Sequence, residues 1–260
     1  MSAAYLLKSR SKLAALYNND PGLLERHHSV RAFELLACGD SGPLQGMAVA
    51  ERLEVCGAVR DVIMATDMRH HGRHCDALRE RSGRSPLWAG GGGGEDAEAV
   101  GLEEMQLLLK CADISNAFRP MGEAREWAAR ATEEMFEQGD LERASGLEVT
   151  KACDRRTQSR VGLQVGFIDW VVEPFLRGLA GRYPGLRGLV GQLEDNRLAW
   201  GSCTDEELLR GAAATFDAPR DFEADERAAA MPRPEDTVGQ GLGQKPVSKF
   251  GEGRGRRRSV

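Results

Sequence analysis

The segment Leu107–Asn116, with the sequence LLLKCADISN, decides how the fold of this chain is interpreted. Apolar residues recur before and within it at the three- and four-residue spacing of an amphipathic helix: Leu102, Met105, Leu109 and Ala112. Asp113 continues this stripe, so the pattern places a carboxylate on the buried face of a helix. A buried carboxylate is costly unless a metal ion, a cation or several N–H donors pair with it. Two interpretations stay open, a ligand or metal site and a structural ion pair or helix cap.

The composition limits the class of protein. Of 260 residues, 41% are hydrophobic and 29% are charged, which is the balance of a soluble globular protein. The formal net charge of −5 argues against a general nucleic-acid partner. No apolar run approaches the roughly 20 residues of a membrane span, and Lys8 and Arg10 interrupt any apolar core of a signal peptide. The six scattered cysteines form no CxxC pair, which indicates reduced thiols in a cytoplasmic protein.

The pattern along the chain predicts one folded region and one tail. Helical periodicity recurs across residues 1–212, so we expect a single helical domain there. Five consecutive glycines at 90–94 predict a flexible insertion at about 85–99, because no helix or strand tolerates such a run. Pro, Gly and charged residues dominate residues 213–260, which predicts a disordered polar tail with a basic C-terminus.

Two helices of this domain carry specific expectations. Trp127 and Met135 share the apolar side of one helix, and Gly139 is placed to end it. The segment Leu163–Leu176 is apolar on almost every side, which is typical of a helix at the centre of a fold. Gln164 is its polar exception. A buried amide must find hydrogen-bond partners, either on a neighbouring helix or on a ligand.

Further motifs follow LLLKCADISN: FRP at 118–120, Trp127, EEMFEQGD at 133–140, Cys153-Asp154 and QVGFIDW at 164–170. In this order and at these intervals, from roughly Tyr5 to Trp200, they resemble the catalytic domain of the class I 3',5'-cyclic nucleotide phosphodiesterases. The resemblance implies an all-α, compact multi-helix bundle of the HD-type cyclic nucleotide phosphodiesterase kind. It also implies hydrolysis of cAMP, cGMP or both to the 5'-monophosphates in signal transduction.

The resemblance assigns roles to individual residues. In the family, two divalent ions, one zinc-like and one magnesium- or manganese-like, act on the phosphate, and Asp113 matches one of the metal ligands. Gln164 matches the residue that bonds the purine, and Phe167, one turn later on the same face, matches the residue that stacks on it. Asn116 matches a residue on the base-binding side, and Met135 stands where the family has a bulky pocket residue.

Two candidates come from earlier in the chain. His27 and His28 are adjacent, so on a helix they point about 100 degrees apart and only one can face a given site. The residues alone are compatible with packing or solvation of both, whereas the resemblance favours His28 as a contact of a metal-bound water. Met68, at the end of the motif ATDM, matches a residue of the pocket wall but fits a core methionine equally well.

One family element has no match in this sequence. In the family, an HxxxH motif followed by an HD pair supplies the general acid and three ligands of the first metal, ahead of the segment that matches Tyr5–Asp20. The histidines of this chain are His27, His28, His70, His71 and His74. The resemblance therefore predicts a partial catalytic domain that lacks the first metal-binding helices and the general acid.

Two functions are compatible with this pattern. The first is an active cyclic nucleotide phosphodiesterase, of which this sequence is a shortened form. The second is a catalytically inactive fragment or pseudo-enzyme that retains a nucleotide pocket and has a regulatory or binding role. In both cases we expect the helices that carry Asp113 and Gln164 to expose apolar surface, which predicts self-association.

Overall fold

The described part of the chain is built from helices. The computed structural model describes residues 1–36, 42–80 and 95–216, and all regular structure in these ranges is helical, which confirms the predicted all-α class. The α-helices are α1 (Ala3–Lys8), α2 (Lys12–Leu16), α3 (Leu23–Leu36), α4 (Val49–Met64), α5 (His71–Glu80), α6 (Glu95–Asp113), α7 (Met121–Ala144), α8 (Arg160–Phe167), α9 (Glu173–Arg182), α10 (Arg187–Gly201) and α11 (Asp205–Phe216). Tight 3₁₀ turns lie at Met68–His70, Ser115–Phe118, Lys151–Cys153 and Pro184–Leu186.

Two helix ends differ from the predicted domain limits. Helix α6 begins at Glu95, so the last five residues assigned to the flexible insertion are helical, while 85–94 lie outside the described residues. Helix α11 continues to Phe216, past the predicted limit at 212. Its start has a clear sequence signal, because Thr204 and Glu207 form a capping box with bonds of 2.8 Å and 3.2 Å. The tail beyond 216 lies outside the described residues.

The hydrophobic core is centred on α9, which packs against α5 and α10. Phe175 of α9 and Trp200 of α10 are both 0% exposed, and Leu179 lies in the same buried cluster. Helices α7 and α8 add further side chains to this cluster, and α11 packs on α7. Full burial of a large apolar side chain stabilises a fold by roughly 1.5–3 kcal/mol. These contacts therefore hold the second half of the described chain together.

The predicted continuous helix Leu163–Leu176 is interrupted by a π-helical turn at Ile168–Val172. Pro174, the second residue after this turn, has no N–H to donate to the carbonyl of Trp170, so a regular α-helical bond cannot form there. The turn buries Ile168 but leaves Trp170 82% exposed. The segment therefore lies in the core, as its apolar character predicted, except at Trp170, which faces solvent.

The sequence predicted that helix α7 ends at Gly139, but the helix continues to Ala144. The glycine is needed for a different reason. A Cβ atom at position 139 would lie 1.9 Å from the carbonyl oxygen of Cys153, so only glycine lets the 151–153 turn approach the helix. The backbone of a neighbouring segment, rather than a helix terminus, explains this residue.

The same turn is anchored by a buried carboxylate. Glu142 is 0% exposed and accepts hydrogen bonds from the backbone N–H (2.6 Å) and hydroxyl (2.8 Å) of Thr150 and from the Gln138 amide (3.2 Å). Burial raises the pKa of Glu142, but these donors outweigh it, and the net pKa lies below the usual range. Gln138 also accepts a bond of 2.7 Å from the backbone N–H of Ser2, so the N-terminal residues dock on the same helix.

Two predictions from composition concern cysteines and membranes. The cysteines of the described residues are free thiols: Cys56, Cys75, Cys111, Cys153 and Cys203. Cys38 lies outside the described residues. Within the three described ranges, no helix combines the length and the apolar character that a bilayer crossing requires.

We predict that Gly139→Ala destabilises the fold. The new methyl group would lie 1.9 Å from a backbone carbonyl oxygen that cannot move without displacing the Cys153 turn. Overpacking of this kind costs about 1–3 kcal/mol in the free energy of unfolding, measurable by urea denaturation. Gly191→Ala in α10 is the matched control, because its Cβ meets nothing within 4 Å. Equal stability of the Gly139→Ala variant and the wild type would contradict this account of α7.

Candidate functional site

A cavity of about 630 Å³ lies between the C-terminal end of α6, the 115–118 turn, α7 and α8. Five residues assigned from the resemblance line it: Asp113, Asn116, Met135, Gln164 and Phe167. They come from four segments of the chain, so only the fold brings them together. The structure thus places the predicted metal ligand and the predicted base-binding residues around one cavity, which has the size of a small-molecule site.

Two helix faces form the opposing walls of the cavity. Gln164 and Phe167 are three residues apart on α8 and therefore lie on one face of it. Trp127, Ala131 and Met135 recur every four residues on α7 and line the cavity along the length of two turns. The separation of α7 and α8 therefore sets the width of the cavity.

Gln164 brings to the cavity a polar side chain whose amide nitrogen has no partner in the described part of the chain. Its side chain is 5% exposed, and its Nε2 atom is buried and forms no hydrogen bond with the described residues. An amide N–H₂ group that is buried without an acceptor costs about 1–3 kcal/mol. Gln164 also lines the cavity, so a ligand that occupies the cavity lies next to this amide side chain. Phe167 on the same face provides an apolar aromatic surface for a flat ring.

Asp113 is exposed, not buried, and the apolar stripe that led to it is also exposed. Met105 is 48% and Leu109 38% exposed, and Ala112 is exposed as well. The predicted burial of this carboxylate is therefore wrong. Its position is nevertheless at the cavity, because Asp113 and Ala112 both belong to the cavity wall. The apolar stripe of α6 faces the cavity and solvent rather than the core.

The core-facing side of α6 carries polar residues that periodicity could not identify. Glu104 accepts a bond of 2.5 Å from Arg182 of α9, and this pair is almost fully buried. Lys110, 0% exposed, donates to the carbonyl oxygen of Thr66 (2.6 Å) and to the sulfur of Met68 (3.0 Å). Burial lowers the pKa of Lys110, while nearby carboxylates, Asp113 first among them, oppose this shift.

Two predicted site residues do not line the cavity. His28 is exposed on α3 and is not among the cavity-lining residues. Its neighbour His27 bonds the Tyr17 hydroxyl at 3.2 Å through Nδ1. Met68 is 47% exposed, so it is not a core methionine, and it is not among the residues that line this cavity. Its place in the wall of a nucleotide pocket remains a prediction. The contact of His28 with a metal-bound water remains a prediction.

The metal-binding side chains found at the cavity do not form a metal centre by themselves. Asp113 is the one carboxylate that lines the cavity among the described residues. In the same ranges, no group of three or more His, Cys, Asp or Glu side chains is arranged to hold a metal ion. Zinc sites use three or four protein ligands. The residues described here therefore do not fit the two-metal centre that the resemblance implies.

Comparison with known sequences identifies the class of protein. A sequence model of the family described as 3'5'-cyclic nucleotide phosphodiesterase matches residues 1–193. The chain is 34% identical over 198 residues to mouse 3',5'-cyclic-AMP phosphodiesterase 4C, covering 76% of this chain and 29% of that protein. It is 33% identical over 214 residues to the probable 3',5'-cyclic-AMP phosphodiesterase pde-4 of Caenorhabditis elegans, covering 82% and 32%. The chain belongs to the cyclic nucleotide phosphodiesterase family and spans about a third of the length of these relatives.

Solved structures agree with this family membership. The structure of LmjPDEB1 in complex with IBMX superposes with a TM-score of 0.68 at 29% identity, covering 81% of this chain and 61% of that chain. The phosphodiesterase domain of the RhoPDE fusion protein from the choanoflagellate Salpingoeca rosetta gives a TM-score of 0.67 at 25% identity, covering 83% and 64%. The helical architecture is therefore that of the phosphodiesterase domains.

Proposed function

We propose that the cavity binds the purine of a 3',5'-cyclic nucleotide and that the protein serves the hydrolysis of cAMP, cGMP or both to the 5'-monophosphates. The observation that carries this proposal is Gln164, a side chain that lines the cavity and whose buried Nε2 atom forms no hydrogen bond with the described residues. Phe167 on the same helix face would stack on the base. Asn116 from the 115–118 turn lines the same cavity and adds a second amide.

The proposed base contact is compatible with both purines. An amide carries a donor and an acceptor, as do the Watson–Crick edges of adenine and guanine, in opposite order. Which order the amide presents depends on the bonds that hold it. The Gln164 nitrogen has no bond to the described residues, so nothing on that atom selects one orientation. We therefore propose cAMP, cGMP or both as the nucleotide.

Hydrolysis of the phosphodiester needs more than base binding. The family reaction uses two divalent metal ions to generate the nucleophile and to neutralise the phosphate. We propose Asp113 as this chain's ligand to such an ion, because it is the carboxylate at the cavity. The described residues supply neither the remaining ligands nor a proton donor at the cavity, so their own contribution is to hold and orient the base.

The small number of metal-binding side chains at the cavity favours a second function. With one carboxylate at the cavity and no three-residue metal cluster in the described ranges, the chain fits a nucleotide-binding protein without turnover. Such a pseudo-enzyme would keep the Gln164 and Phe167 contacts and have a regulatory or binding role. Binding and turnover experiments separate the two functions.

We also propose the cytoplasm as the location of the protein and self-association as a property of it. Free thiols at the described cysteines suit a reducing compartment. Helix α6 exposes Met105 (48%) and Leu109 (38%) of its apolar stripe and Leu108 (50%) beside it, and exposed apolar patches drive association in water. A nucleic-acid partner is not part of the proposal, since the chain carries a net negative charge.

We predict that the chain binds a fluorescent anthraniloyl derivative of cAMP and that Gln164→Ala weakens this binding about tenfold, since one buried hydrogen-bond donor is lost. The measurement is a fluorescence titration with the full chain. Gln158→Ala is the matched control, because this amide lies before α8 and does not line the cavity. Equal binding by both variants would remove the base contact from the proposal.

We expect the chain alone to hydrolyse neither cAMP nor cGMP above a metal blank when Mg²⁺ and Mn²⁺ are supplied, because the described residues offer one carboxylate at the cavity. The measurement is release of 5'-monophosphate by chromatography. Turnover by the purified chain that Asp113→Ala abolishes would overturn this expectation. It would then establish that residues beyond those described complete the metal centre.

We predict concentration-dependent association in analytical ultracentrifugation, and we expect Leu109→Lys to shift the chain toward the monomer. The substitution places a charge in the middle of the exposed stripe of α6 and makes its burial in an interface costly. Leu198→Lys is the control, because Leu198 is 77% exposed on α10, outside the stripe. A chain that is monomeric at every concentration would exclude the association.

A further inference from the structure

The width of the cavity depends on how α8 packs against α7. The buried guanidinium of Arg160 makes most of the polar contacts between these two helices. Arg160 stands one turn before Gln164 on α8 and is 7% exposed. Its Nη1 atom donates to the Thr132 hydroxyl at 3.0 Å and to the carbonyl oxygen of Ala129 at 3.5 Å. Its Nη2 atom donates to the carboxylate of Glu133.

The same guanidinium is also stacked on an aromatic ring. Its carbon atom lies 4.8 Å from the ring centroid of Phe136 on α7. Its contacts therefore extend along α7 from Ala129 to Phe136. A planar group with several fixed donors restricts both the distance and the rotation of α8 against α7, which a single apolar contact does not.

One of these partners belongs to the cavity wall. Thr132 lines the cavity and donates its hydroxyl hydrogen to the carbonyl oxygen of Ala128 at 2.7 Å. Its oxygen accepts the bond from Arg160. The hydroxyl of Thr132 therefore has no hydrogen left for a ligand. Gln164 lines the cavity from α8, and its Nε2 atom forms no bond with the described residues. Arg160 connects α8 to the Thr132 position on α7.

The start of α8 is fixed from a second direction. Asp205 at the start of α11 accepts the backbone N–H groups of Arg160 and Val161, each at 2.9 Å. The first turn of the helix is thus bonded on its backbone by α11 and through the Arg160 side chain by α7. Gln164 lies on the next turn, so these bonds set its position relative to the α7 wall.

From these contacts we propose that Arg160 is a positioning residue for base recognition: it holds Gln164 at the distance from the α7 wall at which the amide meets the purine edge. This inference rests on the proposed function, since it concerns the same cavity. Arg160 itself touches no ligand in this proposal. Binding sites need their contact groups held to within about 0.5 Å, so loss of the bonds to α7 weakens binding without removing any ligand contact.

The test is a double-mutant cycle with the full chain and anthraniloyl-cAMP. Arg160→Met keeps the volume of the side chain and removes the bonds to Thr132, Ala129 and Glu133. We expect about tenfold weaker binding by Arg160→Met. In the Gln164→Ala background we expect no further loss, because the amide through which Arg160 acts is already gone. Weakening by the same factor in both backgrounds would show a general structural role and overturn the proposal.

Arg155→Met is the matched control. Arg155 also pairs with Glu133 (3.0 Å) and lies 5.4 Å from the centroid of the Phe136 ring, but it precedes α8 and has no bond to Thr132. We expect its binding to equal that of the wild type. Unchanged binding by Arg160→Met, or equal losses in Arg160→Met and Arg155→Met, would contradict the positioning role while leaving the proposed function intact.

If circular dichroism shows that Arg160→Met is unfolded, the test uses Arg160→Lys instead. The lysine ammonium can reach Glu133 but cannot bond Thr132 and Glu133 together. Arg160→Lys should fold and show the same loss and the same dependence on Gln164; wild-type affinity of this variant overturns the proposal. If the wild-type chain binds no cyclic nucleotide analogue, the proposed function fails, and the positioning role fails with it.

Discussion

The packing of α8 against α7 is the constraint on which the site depends. Two helices that touch through apolar side chains alone can slide by small amounts, but the buried Arg160 bonds Thr132 and Glu133 at the same time. Asp205 fixes the start of α8 from the other side through two backbone bonds. The cavity between these helices is therefore a preformed feature, and one residue that lines it, Gln164, has a buried amide nitrogen without a partner among the described residues.

Buried polar groups organise the rest of the fold in a similar way. Glu142 of α7 accepts hydrogen bonds from Thr150 in the following loop and from Gln138 on the same helix. The Glu104–Arg182 pair joins α6 to α9. Replacing one member of such a set leaves a buried group without its partner, which costs more than the net contribution of the bond. Lys110 differs from these, because its ammonium meets a carbonyl oxygen and a thioether rather than a carboxylate within bonding distance. The polar interior of this helical domain thus specifies which helices meet and in which register.

Family membership identifies the fold, whereas the geometry of the cavity shows which side chains are available to a ligand. The match over residues 1–193 and the superposition with phosphodiesterase domains establish the fold and the family. The cavity is lined by aromatic and amide side chains on α7 and α8 and, among the described residues, by a single carboxylate on α6. In the same ranges, no three His, Cys, Asp or Glu side chains are grouped to hold a metal ion. The proposed base contact rests on the first observation, and the expected lack of turnover rests on the second.

The sequence by itself determined the helical class through its periodicity. Its ordered motifs also carried the resemblance that gave the family and five of the residues that meet at the cavity. Tertiary structure decided which face of α6 is buried: Glu104 and Lys110 are inside because partners on other segments satisfy them, while Met105 and Leu109 remain outside. It also decided the role of Gly139, whose missing Cβ makes room for a carbonyl oxygen fourteen residues further along the chain. Hydrophobic periodicity measures the preference of one segment for burial, and it contains no information about the groups that another segment brings to meet it.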